Sequence, residues 1–439
     1  MSKVARRGGA ILLAGALTLS MAACGSKDDS SSTGSGEEEK PASIQYWSHW
    51  KKDEPQQKVL AQAIADWEQK TGIKVDAQWQ GRSITQKLTP ALNTKNVPDL
   101  VDTSFARLAP VLAETKQAVS LEDAFKIEVE DGKTVGDLIP SKYTEGSGLV
   151  IDGKPWLLPY TISSEAVWFN AAKHPEFKEN PPKTWDEFVE VLRQLKAKGE
   201  TPLAQDGDIG GYNAFWMVSG YVKEHGPGSF HKLAEDATGE AWKSPEVLEI
   251  AKRVETLVKD GMFIDGYNAS KFPAQQQAWA TNKAVFLLNG SWLPTETSTY
   301  SAEGFEYASF PQPAKQQDKT YARADFIGFA IPQKADAKKW AADLAAFTLQ
   351  KKYQQAFADE AKVLPVRDDI QVDPVFEPVM NAIKEADATY QQNDSVTFSG
   401  YIEKVFWPTQ TELVLGNITA EEFVQMMAEK QAQYWKEQG

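Results

Sequence analysis

SIQYWSHW at residues 43–50, IKVDAQW at 73–79 and PDLVD at 98–102 decide the fold class, together with the stretches that join them. The first is rich in β-branched and aromatic residues and reads as a strand. Pro55 then opens a helix whose apolar residues Val59, Leu60, Ala63, Ile64 and Trp67 fall on one face. Gly72 ends it, because a left-handed residue closes a helix at no steric cost when it lacks a Cβ. Ile73–Trp79 is a second strand, Ile84–Leu92 a second amphipathic piece, and Leu100–Asp102 a short buried strand end. Strand, helix, strand, helix, strand is the signature of a mostly parallel α/β sheet.

The pattern recurs beyond residue 165. Thr184 and Glu187 form a capping box ahead of the apolar stripe Phe188, Val191, Leu192 and Leu195. Ser244 followed by Pro245 starts another helix with the N-cap residue and the first-turn proline in the favoured order. Lys338–Leu349, with Trp340 facing inward, and Ala420–Trp435 are further amphipathic helices, and no short-period repeat points to a solenoid. Two α/β lobes of similar size account for the chain.

Composition narrows the function. Of 439 residues, 42% are hydrophobic and 25% charged, the balance of a folded globular chain. A net charge of −14 disfavours nucleic-acid binding, which needs clustered Lys and Arg. The single cysteine, Cys24, permits no internal disulfide or thiolate metal cage, and the four histidines show no metal-site spacing, so neither a cofactor nor a metal is expected.

That cysteine follows Lys3, Arg6 and Arg7 and a short apolar run, Ala10–Met21, which is too brief to span a bilayer and has the length of a signal-peptide core. Leu19-Ser20-Met21-Ala22-Ala23-Cys24 resembles a bacterial lipobox. The resemblance implies a signal peptide at 1–23, cleavage before Cys24 and a lipid on its thiol; processing takes the net charge from −14 to −17. An ordinary secretory signal with a chance cysteine is the plainer reading of the same residues. Residues 24–42, rich in Ser, Gly and acidic side chains, read as a flexible tether. The expectation is a monomer anchored to the outer face of the cytoplasmic membrane, of Gram-positive type.

Further segments carry a family resemblance. Asp152-Gly153-Lys154-Pro155-Trp156-Leu157-Leu158-Pro159-Tyr160, Trp168-Phe169-Asn170, Pro182-Lys183-Thr184-Trp185-Asp186-Glu187, Asn282-Lys283-Ala284-Val285-Phe286 with Asn289-Gly290-Ser291-Trp292, Gly328-Phe329-Ala330-Ile331-Pro332 and Leu364-Pro365-Val366-Arg367 occur in order. Together they resemble family 1 extracellular solute-binding proteins of bacterial ABC sugar importers, the maltose-binding-protein group, along nearly all of residues 43–439. Asn282 stands where the family has glycine, and Trp156-Leu157 where it has an aromatic-glycine pair, so local turn geometry is in question there. The resemblance implies a two-lobed periplasmic-binding-protein type II fold with a ligand cleft at the hinge. It places the N-terminal lobe at 43–162 and 293–349 and the C-terminal lobe at 163–292 and 350–439. It also implies a permease partner that reads the closed form, and no catalysis.

The ligand argument rests on aromatic faces. A sugar ring offers C–H patches that a flat ring covers, and hydroxyls that polar side chains take. Strand ends and crossovers put Trp47, Trp50, Tyr160, Trp216, Trp279, Trp292 and Phe326 forward as stacking candidates. Trp67, Trp185, Trp340 and Trp435 lie on helix stripes or caps and read as core. His49, Arg82, Asp102, Glu165, Asn213 and Asp325 are the hydroxyl partners; Glu165 is similar in place to a sugar-binding glutamate of the family. Core packing is the competing reading for every aromatic, a satisfied structural histidine for His49, and a solvated surface arginine for Arg82. A carbohydrate receptor is the principal expectation. A receptor for another solute such as a polyamine is the alternative, and a secreted glycosidase, which needs a spaced carboxylate pair, is the remote one.

Overall fold

The computed structural model describes residues 39–144, 148–315 and 318–439. The lipobox, Cys24 and most of the tether lie outside these residues. In chain order the strands that carry the architecture are β1 (Ser43–Ser48), β2 (Lys74–Trp79), β3 (Leu100–Ser104), β4 (Leu158–Ser163), β5 (Glu165–Asn170), β6 (Leu203–Ala204), β7 (Phe286–Gly290), β8 (Tyr307–Phe310), β9 (Tyr321–Arg323), β10 (Asp325–Ala330), β11 (Leu364–Pro365) and β12 (Ala388–Tyr390).

They make two main sheets, one of six strands in the order β11-β4-β10-β3-β1-β2 and one of four in the order β6-β7-β5-β8. β1, β2 and β3 are parallel, with Ser48 opposite Trp79 and Asp102. β10 runs antiparallel between β3 and β4. In the second sheet β6 and β7 are parallel and β5 is antiparallel to β7, so Glu165 sits opposite Gly290. β9 and β12 form a separate parallel pair.

The helices form for the reasons their sequences give. Pro55–Thr71 carries its proline in the first turn and ends on Gly72 at φ 73°. Trp185–Ala197 has the reciprocal Thr184–Glu187 capping box, and Ser244 Oγ accepts from the Val247 N–H at the start of Pro245–Lys259. Trp67 is fully buried and donates its Nε1–H to Asp343 at 2.7 Å, which ties the first helix to Lys338–Phe347. Trp340 on that second helix is only half-buried. Asn282, the departure from the family glycine, adopts φ 62°. Asparagine tolerates that left-handed conformation, and its Oδ1 accepts from Asn170 Nδ2 at 2.8 Å.

The sheets redraw the boundaries expected from sequence. β8 pairs with β5 in the second sheet, although it falls within 293–349, and β11 pairs with β4 in the first, although it falls within 350–439. Tyr353, Phe357, Val379, Met380 and Ile383 share the apolar cluster of the first sheet, whereas Phe406, Phe423 and Met427 belong to that of the second. The second sheet has both faces covered. Val167 and Phe169 of β5 point into one cluster and Trp168 into the other, the alternation of a strand buried on both sides. Among the described residues no helix is long and apolar enough to cross a membrane.

Candidate functional site

In open α/β sheets, ligands bind beyond the carboxyl ends of parallel strands. Here both such edges meet at one place. β4 ends at Ser163 opposite Asp325, on the edge where β1, β2 and β3 also end, and one residue, Ser164, separates it from Glu165 on the edge of β6 and β7. The junction is bonded. Ser164 Oγ donates to the Arg323 carbonyl at 2.6 Å, and the Ser291 N–H donates to the Ser164 carbonyl at 2.9 Å.

Glu165, Arg323 and Asp325 lock that junction. Arg323 bonds Glu165 at 3.2 Å through Nη1 and Asp325 at 2.6 Å through Nη2, and its guanidinium lies over the Phe215 ring at 4.6 Å. Glu165 also accepts from Ser219 at 2.7 Å and Tyr390 at 3.2 Å and lies 3.6 Å from Lys223. Ser219 reaches it from a widened helical turn over Phe215–Ser219. Burial raises the Asp325 carboxyl above its ordinary value, although the Arg323 charge opposes this. With its carboxylate bonded to Arg323, Ser219 and Tyr390, Glu165 is a structural ion at the junction, and it also borders a crevice there. Asp325, also bonded to the Gln392 N–H, is only half-buried.

The first edge carries a second internal network. Asp102 is fully buried and accepts from Tyr46 Oη at 2.8 Å and Tyr160 Oη at 2.5 Å, and Tyr160 Oη accepts from Trp50 Nε1 at 2.7 Å. Burial pushes the Asp102 carboxyl up to about 6. These contacts turn Asp102 and Tyr160 from expected ligand contacts into core hydrogen-bonding groups. His49 is buried, with Nδ1 2.7 Å from Thr103 Oγ1, and burial, assisted by Arg82 and Arg107, lowers its pKa and keeps the ring neutral. Arg82 stays at the surface, clasps Glu54, donates to the His49 carbonyl at 2.7 Å and covers the Trp50 ring at 4.7 Å. Arg107 donates to the Arg82 carbonyl. Trp47 is half-buried.

Because the Asp102 carboxyl is raised, the folded state binds a proton that the unfolded chain has already released between about pH 4 and 6. This group therefore contributes a fall in stability as pH rises through that window. Asp102→Asn is expected to remove the fall: the stability-versus-pH curve from denaturant titrations should be flatter or more upward there than in the parent. An identical slope in both proteins would refute the assignment.

The second edge holds the aromatic surface. Trp292 follows β7 and stacks on Tyr212, ring centroids 6.1 Å apart and tilted 29°, with Phe272 beyond Tyr212 at 6.2 Å. Gly290 is required there, since a Cβ would fall 2.2 Å from the indole. Phe272 is 40% exposed, the one exposed large hydrophobic side chain among the described residues. Asp206 and Asp208 follow β6, and Glu296 lies one turn past Trp292. These acidic residues, with Tyr212 and Phe272, escape sequence reasoning because they lie in loops or in the short helices Gly210–Ala214 and Leu293–Thr297, with no motif; the end of a strand next to Asn289-Gly290-Ser291-Trp292 is the signal that could have found them.

Other expected ligand residues are interior here. Trp216 Nε1 donates to Gln205 at 2.8 Å, Gln205 donates to Asn213 at 2.9 Å, and Asn213 donates to the Gly207 carbonyl at 2.8 Å. Trp279 donates to the Val285 carbonyl at 3.2 Å and packs on Phe305. Phe326 packs on Tyr143 at 5.3 Å. Each has surrendered its face or polar atoms to the core. A crevice of about 510 Å³ borders the junction at Glu165, Gln312, Tyr321 and Arg323; its rim of Lys183, Lys315 and Lys319 carries one aromatic, Tyr321, against three clustered rings at the second edge. No group of three or more metal-ligating side chains occurs among the described residues.

Residues 62–384 match the model of the bacterial extracellular solute-binding proteins. The chain belongs to this family. Among curated relatives, the diacetylchitobiose binding protein NgcE of Streptomyces coelicolor is 26% identical over 230 residues, 52% of this chain and 48% of that one. The galactooligosaccharide-binding protein of Bacillus subtilis is 20% identical, covering 85% of this chain and 84% of its own. The chain spans about half the length of the first curated relatives it matches. Among solved structures, a chitin oligosaccharide binding protein aligns with TM-score 0.69 at 20% identity, over 90% of this chain and 99% of its own. RafE from Streptococcus pneumoniae aligns with TM-score 0.72 at 18% identity, over 89% and 97%. Solute-binding proteins of this type share the two-lobed fold, which agrees with the two sheets and their single-residue crossover at Ser164.

Proposed function

We propose that this solute-binding protein captures a carbohydrate, a mono- or oligosaccharide, where its two sheet edges meet, closes on it, and presents it to the permease of an ABC importer. The carrying observation is the Trp292–Tyr212–Phe272 aromatic surface at the carboxyl edge of β6 and β7, flanked by the carboxylates Asp206, Asp208 and Glu296. Flat rings suit the C–H faces of a sugar, and carboxylates suit its rim. The names of the relatives, which specify diacetylchitobiose and galactooligosaccharide, support the same class. Lobes drawn on the sheets, 43–163 with 324–386 and 165–310 with 396–439, rotate about the crossovers. The chain acts as a binding protein and not an enzyme, as a monomer, held at the outer face of the cytoplasmic membrane, of Gram-positive type, through a lipid on Cys24.

Tryptophan fluorescence and thermal unfolding with a saccharide panel test this. Ligand at a thousandfold excess over Kd stabilises by about 4 kcal/mol, a shift of several degrees. If no saccharide changes either signal, the reading fails. Radiolabelled palmitate incorporated by the parent and lost in Cys24→Ala tests the anchor.

A further inference from the structure

We infer that the sugar this site prefers carries an unacylated amine, its ammonium held by Asp208 and Glu296 in front of the buried Asp206. The inference rests on the carbohydrate reading and specifies it.

The observation is a surplus of acceptors. Asp206 is 1% exposed; its Oδ1 accepts from the Gln275 N–H at 3.2 Å while its Oδ2 has no donor. Gln276 is equally buried. Its Nε2 donates to Glu296 Oε2 and to Tyr300 Oη, each at 3.1 Å, which leaves Oε1 without a donor. Gln275 Oε1 is buried and unpartnered as well. Asp208 accepts from the Phe272 N–H at 3.0 Å and is otherwise exposed, as is Glu296. The cation recorded against this cluster among the described residues is Lys271, 3.9 Å from Asp208 and 82% exposed. Burial pushes the Asp206 carboxyl up to about 6; the Gln275 and Gln276 backbone N–H groups oppose the rise, and the Asp208 and Glu296 charges add to it.

Hydrogen-bond bookkeeping selects the ligand group. A sugar hydroxyl brings one donor and two acceptor lone pairs, so against a wall of acceptors it leaves lone pairs facing oxygens. An ammonium brings three donors and no acceptor, and supplies the missing charge. The half-buried indole of Trp292, stacked on Tyr212, also attracts a cation. Acylating the amine removes the charge and two of the three donors. The first edge differs: its arginines, Arg82 and Arg107, are occupied by Glu54 and backbone carbonyls.

Three disaccharides of the same linkage decide the matter by titration calorimetry on the full chain: the β-1,4-linked dimer of glucosamine, its N-acetylated form, and the glucose dimer, with spermidine as a control lacking a sugar ring. The free-amine dimer is expected to bind at least about tenfold tighter than both neutral dimers, the equivalent of one modest charge-assisted bond. Its advantage should shrink with added salt. Glu296→Gln and, separately, Asp208→Asn should lower affinity for the free-amine dimer by at least about fivefold more than affinity for either neutral dimer, because only the amine loses a charge-assisted bond; equal losses for all three dimers would overturn the inference. Neutral dimers binding as tightly as the amine would overturn the inference and leave the carbohydrate reading standing. Spermidine matching the amino sugar would show that the ring contributes nothing and would likewise overturn it. Absence of binding by any saccharide would overturn the carbohydrate reading and the inference together.

Discussion

Arg323→Met lowers the free energy of unfolding by about 3–5 kcal/mol, the usual consequence of removing one partner from a buried ion cluster. Methionine keeps much of the side-chain volume, so the loss is electrostatic. Glu165 keeps Ser219, Tyr390 and the more distant Lys223, whereas Asp325 loses the guanidinium that balances its charge and keeps the Gln392 N–H. The two neighbouring carboxylates would then lack the guanidinium that lies between them, and Asp325 would carry most of the deficit. The sign of the pH dependence follows. The Asp325 carboxyl is already raised by burial, and without the guanidinium it rises further, so the folded variant holds a proton over a wider range. The deficit should therefore shrink as pH falls from neutrality toward the carboxylate range. Adding Asp325→Asn to the variant should restore part of the loss. Urea titrations at several pH values measure this, and a deficit under about 1 kcal/mol at neutral pH would show that the cluster is not the lock between the sheets.

Trp292→Ala weakens saccharide binding by about 30- to 100-fold, the worth of one large stacking face at roughly 2–3 kcal/mol. The indole is half-buried and leans on Tyr212, so the substitution also costs some stability, and a second route separates the two effects. Gly290→Ala leaves the indole in the chain but puts a methyl group where the ring lies, 2.2 Å away. The ring must move, so binding should fall by at least about tenfold if its position matters. Fluorescence titration with whichever disaccharide binds the parent provides the readout. Affinities within twofold of the parent in both variants would remove Trp292 from the site. Trp216→Phe serves as the contrasting case, since Trp216 is interior and bonded to Gln205; its substitution should act on melting temperature more than on affinity.

Much of the secondary structure was legible because it is written locally. The stripe Val59, Leu60, Ala63, Ile64 and Trp67, the Thr184–Glu187 box and the Ser244-Pro245 start each use residues within a few positions of one another, and each forms as read. The N-cap bonds, the proline in the first turn and the closing glycine act through backbone geometry that tertiary packing left unchanged. The aromatic candidates were harder. Trp47, Trp216, Trp279 and Trp292 look alike as letters in a strand end or loop, yet Trp279 is buried against Phe305 while Trp292 is half-buried, over Gly290 and against Tyr212.

The carboxylates divide in the same way. Asp102, Glu165 and Asp206 each sit at or just beyond a strand end, where sequence reasoning expects ligand contacts. Tyr46 and Tyr160 close over the first, and Arg323 and Ser219 over the second, whereas the third keeps an oxygen without a donor. The partners lie from tens to more than 150 residues away, so no window of sequence shows them.

By itself the sequence determined the α/β class, the helices with their caps, and the family, because these depend on periodicity and on residues a few positions apart. The tertiary structure alone decided which strands share a sheet, moving Tyr307–Phe310 to the second and Leu364–Pro365 to the first, and which polar groups are spent in the interior. Strand pairing and charge compensation are long-range: they depend on which segments meet after the chain has crossed between the sheets, and that meeting fixes where an aromatic face and an unmatched carboxylate remain for a ligand.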